Sequence, residues 1–122
     1  MDEADVRQRA RAFVARVDVS NIRADLSPYV TAANAKVKKD ELGEGESGYT
    51  VTKPNGKHII TVNSLETEER QRFTVCHEIA HIVLGLESSH DEVPSWSYAK
   101  RHPNEIACDT FAAELLDRKS VV

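Results

Sequence analysis

The sequence predicts an α+β fold in which a small sheet of three strands, mostly antiparallel, packs against a long helix and two or more further helices. Three observations carry this prediction. Apolar residues recur at helical spacing near the start of the chain, two β-rich segments flank a turn signal in the middle, and a long segment with capping residues at both ends follows. The length of 122 residues fits a single domain over residues 1–122.

The first two elements are predicted to be helices. An apolar face at helical spacing predicts an amphipathic helix over residues 3–18, which belongs to an N-terminal covering segment, residues 1–20. The members of that face are Val6, Ala10, Phe13, Val14 and Val17. Ser27 followed by Pro28 has the pattern of a helix N-cap, so a short helix is expected to follow and to stop near Asn34.

The middle of the chain predicts the sheet. Residues 49–52 and 59–62 are rich in β-branched and aromatic side chains, and the Pro-Asn-Gly sequence at residues 54–56 between them is a turn signal. These segments are therefore expected to form a hairpin. A third strand is expected around residues 36–38.

Two more helices are predicted after the sheet. Thr67 has the character of an N-cap for a long helix that ends at Gly85, and a last helix is expected to begin at Pro103. The segment between them, residues 86–102, has no clear period and is expected to form a long loop over a site.

Composition and charge exclude several classes of function. Sixteen basic and twenty acidic residues give a formal charge of −4, and the basic residues are scattered, so direct nucleic-acid binding is not expected. No apolar run approaches the roughly 20 residues that cross a bilayer, and the acidic start is unlike an export signal. The expectation is a cytoplasmic protein that does not span a membrane. In that compartment Cys76 and Cys108 are expected to be reduced, buried thiols.

A His-Glu-x-x-His motif lies in the long helix, at residues 77–81. Residues four apart lie on one face of a helix, so the imidazoles of His77 and His81 can reach a single ion, while Glu78 can reach water beside that ion. The alternative is a pair of histidines satisfied by local hydrogen bonds on an ordinary amphipathic helix.

A catalytic zinc site needs a third protein ligand, and the last helix offers one. Glu105 supplies a carboxylate, and Asp109 lies one turn further along the same face, where it is expected to accept the free ring N–H of a ligand histidine. Zinc suits two imidazoles and one carboxylate, and manganese or another divalent transition metal is also compatible. The alternative is that both carboxylates are solvated residues of a helix face.

The long loop is expected to supply a group that stabilises the transition state. Tyr98 and His102 are the candidates, together with His90, and each is alternatively a packing or surface residue. Cys108, three residues after Glu105, is the one cysteine with a candidate place near the metal.

Residues 72–85 and 105–116 resemble the ImmA/IrrE family of metallo-endopeptidases. Residues 47–49 and 60–63 resemble that family's hairpin, so the resemblance extends over residues 26–116. It implies a zincin-like minimal metallopeptidase domain, similar in its core to the thermolysin-like enzymes. By this resemblance the metal ligands are His77, His81 and Glu105, the general base is Glu78, and the residue that supports a ligand histidine is Asp109.

The same resemblance implies an endopeptidase that cleaves a helix-turn-helix transcriptional repressor and so relieves repression, with the substrate held as an extended segment against the sheet edge. An alternative of another class is a metal-stabilised binding module that sequesters a repressor or antitoxin-like partner without cutting it. A general peptidase is disfavoured because the short chain leaves little material for a second wall of the cleft. The sequence departs from the family pattern after Leu116, where a downstream sensing or partner-binding region is expected to be absent.

Overall fold

The computed structural model describes residues 1–17, 26–87 and 102–118, which form a three-stranded sheet and four helices. The elements in chain order are α1 (Glu3–Arg16), α2 (Ser27–Ala32), β1 (Ala35–Asp40), β2 (Gly48–Thr52), β3 (His58–Asn63), α3 (Glu68–Leu84) and α4 (Pro103–Arg118). The predicted α+β class with three strands is confirmed. Within the described ranges, every helix is too short or too polar to cross a bilayer.

Capping groups define the ends of α1 and α3. The Asp2 carboxylate accepts the N–H of Asp5 at 2.8 Å, and the Thr67 hydroxyl accepts the N–H of Arg70 at 3.1 Å. Each bond satisfies an N–H that has no partner within the first turn. At the other end of α3, Gly85 has the left-handed backbone that closes the helix, with φ of 68°.

The expected N-cap of α2 is wrong by one residue. Leu26 holds the cap position without a side-chain hydrogen bond, and Ser27 already belongs to the helix. The reason is that the Leu26 carbonyl accepts the N–H groups of both Tyr29 and Val30 at 3.0 Å. Pro28 is tolerated in this first turn because its missing N–H has no helical partner there.

The strand order is β1-β3-β2, so β3 lies in the centre and β2 lies at one edge. The predicted hairpin is confirmed, because β2 and β3 pair antiparallel with Thr50 opposite Ile60. The third strand pairs differently: β1 runs parallel to β3, with Val37 opposite Ile60. The sheet is therefore mixed rather than mostly antiparallel. The chain reverses direction twice between β1 and β3, so these two strands point the same way.

The core lies between the sheet, α3 and α4, and α1 covers α4. Val6, Ala10 and Phe13 of α1 are buried, as their helical spacing predicts. The Phe13 ring lies 5.8 Å from the Tyr29 ring and 6.0 Å from the Phe111 ring, measured between centroids. This aromatic cluster joins α1 to α2 and α4, and buried residues of α3 such as Cys76 and Ile79 belong to the same core, beside α4.

Candidate metal centre

The side chains of His77 and His81 converge on one point between α3 and α4. Their Nε2 atoms lie 3.2 Å apart. Both residues belong to α3, and a separation of four positions places their rings on the same helix face. Only 12% of the His77 side chain and 6% of the His81 side chain are exposed. The two nitrogens are thus shielded from bulk water and aimed at each other.

The opposite nitrogen of each ring is held by an oxygen. His77 Nδ1 lies 2.8 Å from Asp109 Oδ1, and His81 Nδ1 lies 2.8 Å from the Leu86 carbonyl oxygen. A carboxylate and a carbonyl can only accept, so both Nδ1 atoms carry a proton. In the neutral rings the Nε2 lone pairs therefore face the point of convergence, as a metal site requires.

Glu105 brings a carboxylate to both imidazoles. Its Oε1 lies 3.0 Å from His77 Nε2, and its Oε2 lies 3.3 Å from His81 Nε2. Atoms bound to one tetrahedral metal ion at ~2.0–2.1 Å are about 3.3 Å from each other. The separations among these two nitrogens and the carboxylate match that spacing. The donor set and its geometry therefore fit a tetrahedral divalent metal ion.

Glu78 lies beside this convergence, with 5% of the residue exposed. Single ligand atoms of His77, Glu78 and His81 lie within 4.8 Å of one another. Glu78 Oε1 accepts a hydrogen bond of 2.6 Å from the Thr50 hydroxyl on β2. Sequence reasoning missed Thr50, because nothing in the β-rich pattern of its strand distinguishes it from Thr52. Sequence reasoning also missed the contact of the Leu86 carbonyl with His81. The sequence marks this turn only by Gly85, which ends α3.

The electrostatics of the site favour positive charge where the nitrogens meet. Burial lowers the pKa of His77, but hydrogen bonds with Asp109 and Glu105 outweigh it and raise the pKa to about 9. Burial also lowers the pKa of His81, whereas contacts with Cys108 and Glu105 raise its pKa to about 10. The two Nε2 atoms lie 3.2 Å apart, and each also contacts the Glu105 carboxylate. A divalent cation at this point would be stabilised by the same carboxylates, which are those of Glu78, Glu105 and Asp109.

The two cysteines are free and buried. The Cys108 thiol is within hydrogen-bond reach of His81, so the candidate place of Cys108 near the metal centre matches its position. Burial raises the pKa of Cys108 more than the neighbouring His81 lowers it. Cys108 is therefore a neutral thiol at physiological pH.

The outer edge of β2 runs past Glu78. Ser47 and Lys53 flank β2: the Ser47 carbonyl accepts the Asn63 N–H of β3 at 2.8 Å, and the Lys53 N–H donates to the Lys57 carbonyl at 2.8 Å. Antiparallel pairs alternate between bonded and non-bonded positions, so the backbone N–H and C=O of Gly48, Thr50 and Thr52 point away from β3. Among the described residues no strand pairs with this edge.

An open cavity of about 510 Å³ adjoins the site between β2 and the end of α3. Its walls include Thr50 and His81, together with His58 and Glu87. Among the described residues the cavity adjoins both Thr50 on β2 and the metal-centre residue His81. It has room for the side chain of a bound peptide.

Of the remaining predicted residues, His102 belongs to the part of the chain that the structure describes. His102 is exposed, its Nδ1 accepts the Asn104 N–H at 3.0 Å, and its carbonyl accepts the Glu105 N–H at 2.9 Å. His102 therefore fixes the first turn of α4, which carries Glu105. Tyr98 and His90 lie outside the described residues.

Comparison with known proteins gives one assignment. No curated protein matches the chain closely enough to count as a relative. Residues 31–116, which include all three strands, α3 and all but the last two residues of α4, match the family described as the IrrE N-terminal-like domain, Peptidase_M78. The match extends over most of the chain and contains every residue that converges at the metal centre. The chain belongs to the Peptidase_M78 family of IrrE N-terminal-like domains.

Proposed function

We propose that this chain is a metal-dependent endopeptidase that hydrolyses a peptide bond in a specific protein partner. The observation that carries the proposal is the convergence of the two Nε2 atoms and the Glu105 carboxylate beside a buried Glu78. Membership of a peptidase family supports the reaction class. A structural metal site would have no use for a second buried carboxylate beside its ligands.

The proposed ligands of the metal are His77, His81 and Glu105. Asp109 and the Leu86 carbonyl orient the two rings, since each holds an Nδ1 proton at 2.8 Å. Zinc is the proposed ion, and manganese or another divalent transition metal suits the same donors. When bound, such an ion supplies Lewis acidity for polarising a carbonyl and for acidifying water.

Glu78 is the proposed general base. The hydroxyl of Thr50 occupies Oε1, which leaves Oε2 to accept a proton from water and to return it to the leaving amine. The carboxylate is buried, so it is kept out of bulk solvent, and it lies within 4.8 Å of the ligand atoms of both histidines. Tyr98 and His102 stay candidates for stabilising the oxyanion.

The proposed substrate is a helix-turn-helix transcriptional repressor, whose cleavage relieves repression in the cytoplasm. The family resemblance supports this class of partner. An extended segment of the partner would pair with the edge of β2 through the backbone of Gly48, Thr50 and Thr52, which brings a peptide bond beside Glu78. The net charge of −4 supports a protein rather than a nucleic-acid partner.

The test compares the wild-type chain with Glu78→Gln in a lysate of the source cells, followed by proteomic mapping of new protein N-termini. Both proteins are loaded with zinc, and their zinc content is measured. We expect about one zinc per chain in both, and new N-termini in a repressor only with the wild type. New N-termini only in other proteins would overturn the repressor as substrate. A zinc-loaded wild type that creates no new N-termini would overturn the peptidase and favour the sequestering module.

Metal binding has its own controls. Glu105→Ala removes the carboxylate that contacts both imidazoles and is expected to lower zinc affinity strongly. His58→Ala removes a histidine of β3 whose Nδ1 contacts Thr52 rather than the site. Zinc affinity is therefore expected to stay within about twofold of the wild type in His58→Ala. Equal affinities of Glu105→Ala and the wild type would remove Glu105 from the ligand set.

A further inference from the structure

Thr50 connects the edge of the sheet to Glu78. Its hydroxyl donates to Glu78 Oε1 at 2.6 Å, which is short for a hydrogen bond between two oxygen atoms. Its own backbone N–H and C=O point to the outer edge of β2, away from β3. One residue therefore faces a bound peptide with its main chain and Glu78 with its side chain.

The side chain of Thr50 has few rotamers, so its hydroxyl keeps a defined orientation relative to the backbone. This restriction arises because threonine is branched at Cβ. The partner of Thr50 across the hairpin is Ile60, which is fully buried on the central strand. This pairing fixes the backbone at position 50, and the hydroxyl in turn fixes which carboxylate oxygen of Glu78 faces the histidines.

The neighbouring threonines have other surroundings. The hydroxyl of Thr52 lies 2.8 Å from His58 Nδ1, so it is engaged with the hairpin partner. The hydroxyl of Thr61 on β3 is buried and has no hydrogen-bond partner among the described residues. The contact with Glu78 is thus a property of position 50 rather than of threonine in this sheet.

We propose that Thr50 is a positioning residue that orients the Glu78 carboxylate for proton transfer at the point where an extended peptide pairs with β2. This inference rests on the proposed peptidase function. It predicts a separation of effects, because the peptide binds to the backbone of Thr50 while proton transfer depends on its hydroxyl. Removing the hydroxyl should lower kcat and leave KM nearly unchanged.

The experiment uses the full chain loaded with zinc and an internally quenched peptide that spans the bond mapped by the new N-termini in the lysate, or the purified partner protein where the short peptide is not cleaved. The values of kcat and KM are measured for the wild type, Thr50→Val, Thr50→Ser and Thr50→Ala. Thr61→Val is the matched control, since it makes the same substitution at a buried hydroxyl of the adjacent strand. Thermal unfolding and zinc affinity, by competition with a chromophoric chelator, are measured for each variant.

We expect kcat of Thr50→Val to fall about tenfold to a hundredfold, as small displacements of a catalytic group do, with KM within about twofold. Thr50→Ser keeps the hydroxyl and should recover most of kcat, whereas Thr61→Val should match the wild type. Zinc affinity should be unchanged in all variants, because Thr50 acts on Glu78 and not on the metal ligands. If Thr50→Val fails to fold, Thr50→Ala with Thr50→Ser as its rescue makes the same comparison.

The outcomes separate this inference from the function on which it rests. A wild type that cleaves peptides, with Thr50→Val as fast as Thr61→Val, would overturn the positioning role and leave the peptidase standing. A rise in KM or a loss of zinc affinity equal to the loss of kcat would also overturn it, because a purely structural role predicts that pattern. A zinc-loaded wild type that creates no new N-termini in the lysate would overturn the peptidase itself, and the inference would fall with it.

Discussion

His81 and Leu86 are joined by two hydrogen bonds. His81 Nδ1 lies 2.8 Å from the Leu86 carbonyl oxygen, and the Leu86 N–H donates to the His81 carbonyl at 3.1 Å. Gly85 lies between them in the left-handed conformation, with φ of 68°. The turn that ends α3 therefore also orients one of the two imidazoles, so the helix end and the metal centre are a single structural unit.

Replacing Gly85 should weaken both stability and zinc affinity. Gly85→Ala places a Cβ on a left-handed backbone, which costs about 1 kcal/mol of folding free energy. Any shift of the turn also moves the Leu86 carbonyl away from His81, so zinc affinity should fall about tenfold. Urea denaturation and zinc competition measure the two effects.

The matched control is Gly45→Ala. Gly45 has φ of 84° and, like Gly85, would place its Cβ in open space, but it lies in the loop between β1 and β2. This variant should lose a similar free energy of unfolding and keep its zinc affinity. An equal loss of zinc affinity in both variants would show that strain alone, and not the His81–Leu86 contact, was being measured.

Stability of the metal-free chain should depend on pH through the two imidazoles. Their pKa values, about 9 for His77 and about 10 for His81, exceed the ordinary value of 6.5, so the folded state binds more protons than the unfolded chain above that pH. This contribution to stability is complete below pH 6.5 and is lost as the pH rises through the folded values. The free energy of unfolding, measured in urea with a chelator present, should therefore fall from pH 6.5 upward.

Burial raises the pKa of Cys108 as well, which acts in the same direction at high pH. A double variant, His77→Asn with His81→Asn, separates the contributions, since it should abolish the fall between pH 6.5 and 8. His58→Asn should retain that fall. An unaltered pH dependence in the double variant would contradict the assignment to the two imidazoles.

The sequence predicted the parts of the site that depend on local geometry. Helical spacing places His77 and His81 on one face, and the capping signals at Thr67 and Gly85 located the helix that carries them. Glu105 was predicted because a catalytic zinc site needs a third protein ligand, which the last helix offers, and because the family resemblance implies it. Helical spacing and capping signals are properties of the local sequence, whereas the assignment of Glu105 also used the chemistry of zinc and the resemblance.

The parts that the sequence did not predict depend on packing between distant segments. The contact between Thr50 and Glu78 joins residues 28 positions apart, and it depends on how far β2 lies along α3. β1 could pair with either strand of the hairpin, and pairing with β3 makes it parallel. The local sequence does not distinguish the two arrangements. The register of a strand against a helix is set by side-chain volumes in three dimensions, which no repeat in the sequence encodes.

The position of β2 against α3 depends on Gly48. A Cβ at this position would collide with the Thr61 carbonyl and lie 2.7 Å from Thr74 Cγ2 on α3. Gly48→Ala should therefore push β2 away from the helix, destabilise the fold by about 2 kcal/mol as overpacking does, and lengthen the contact between Thr50 and Glu78. Chemical denaturation measures the loss of stability.

Gly43→Ala is the control for Gly48→Ala. A Cβ at Gly43 would meet only the Glu46 side chain, at 3.7 Å or more, which is ordinary contact. Its free energy of unfolding should stay within about 0.5 kcal/mol of the wild type. Equal stability of both variants would contradict the close approach of β2 to α3.

A buried carboxylate attaches α1 to the rest of the domain. Glu114 on α4 accepts hydrogen bonds from Arg7 at 3.1 Å and Arg11 at 2.8 Å, and its side chain is 8% exposed. Glu114→Ala should destabilise the chain by about 2 kcal/mol, because it removes charge-assisted hydrogen bonds in a partly buried place. Hydrogen exchange should show the loss first in the backbone amides of α1, which then loses these two hydrogen bonds to α4. Glu3→Ala is the control, since Glu3 pairs with Arg7 on the exposed side of α1, and it should change stability by about 0.3 kcal/mol. Unchanged exchange in α1 of Glu114→Ala would show that Val6, Ala10 and Phe13 hold the helix without this contact.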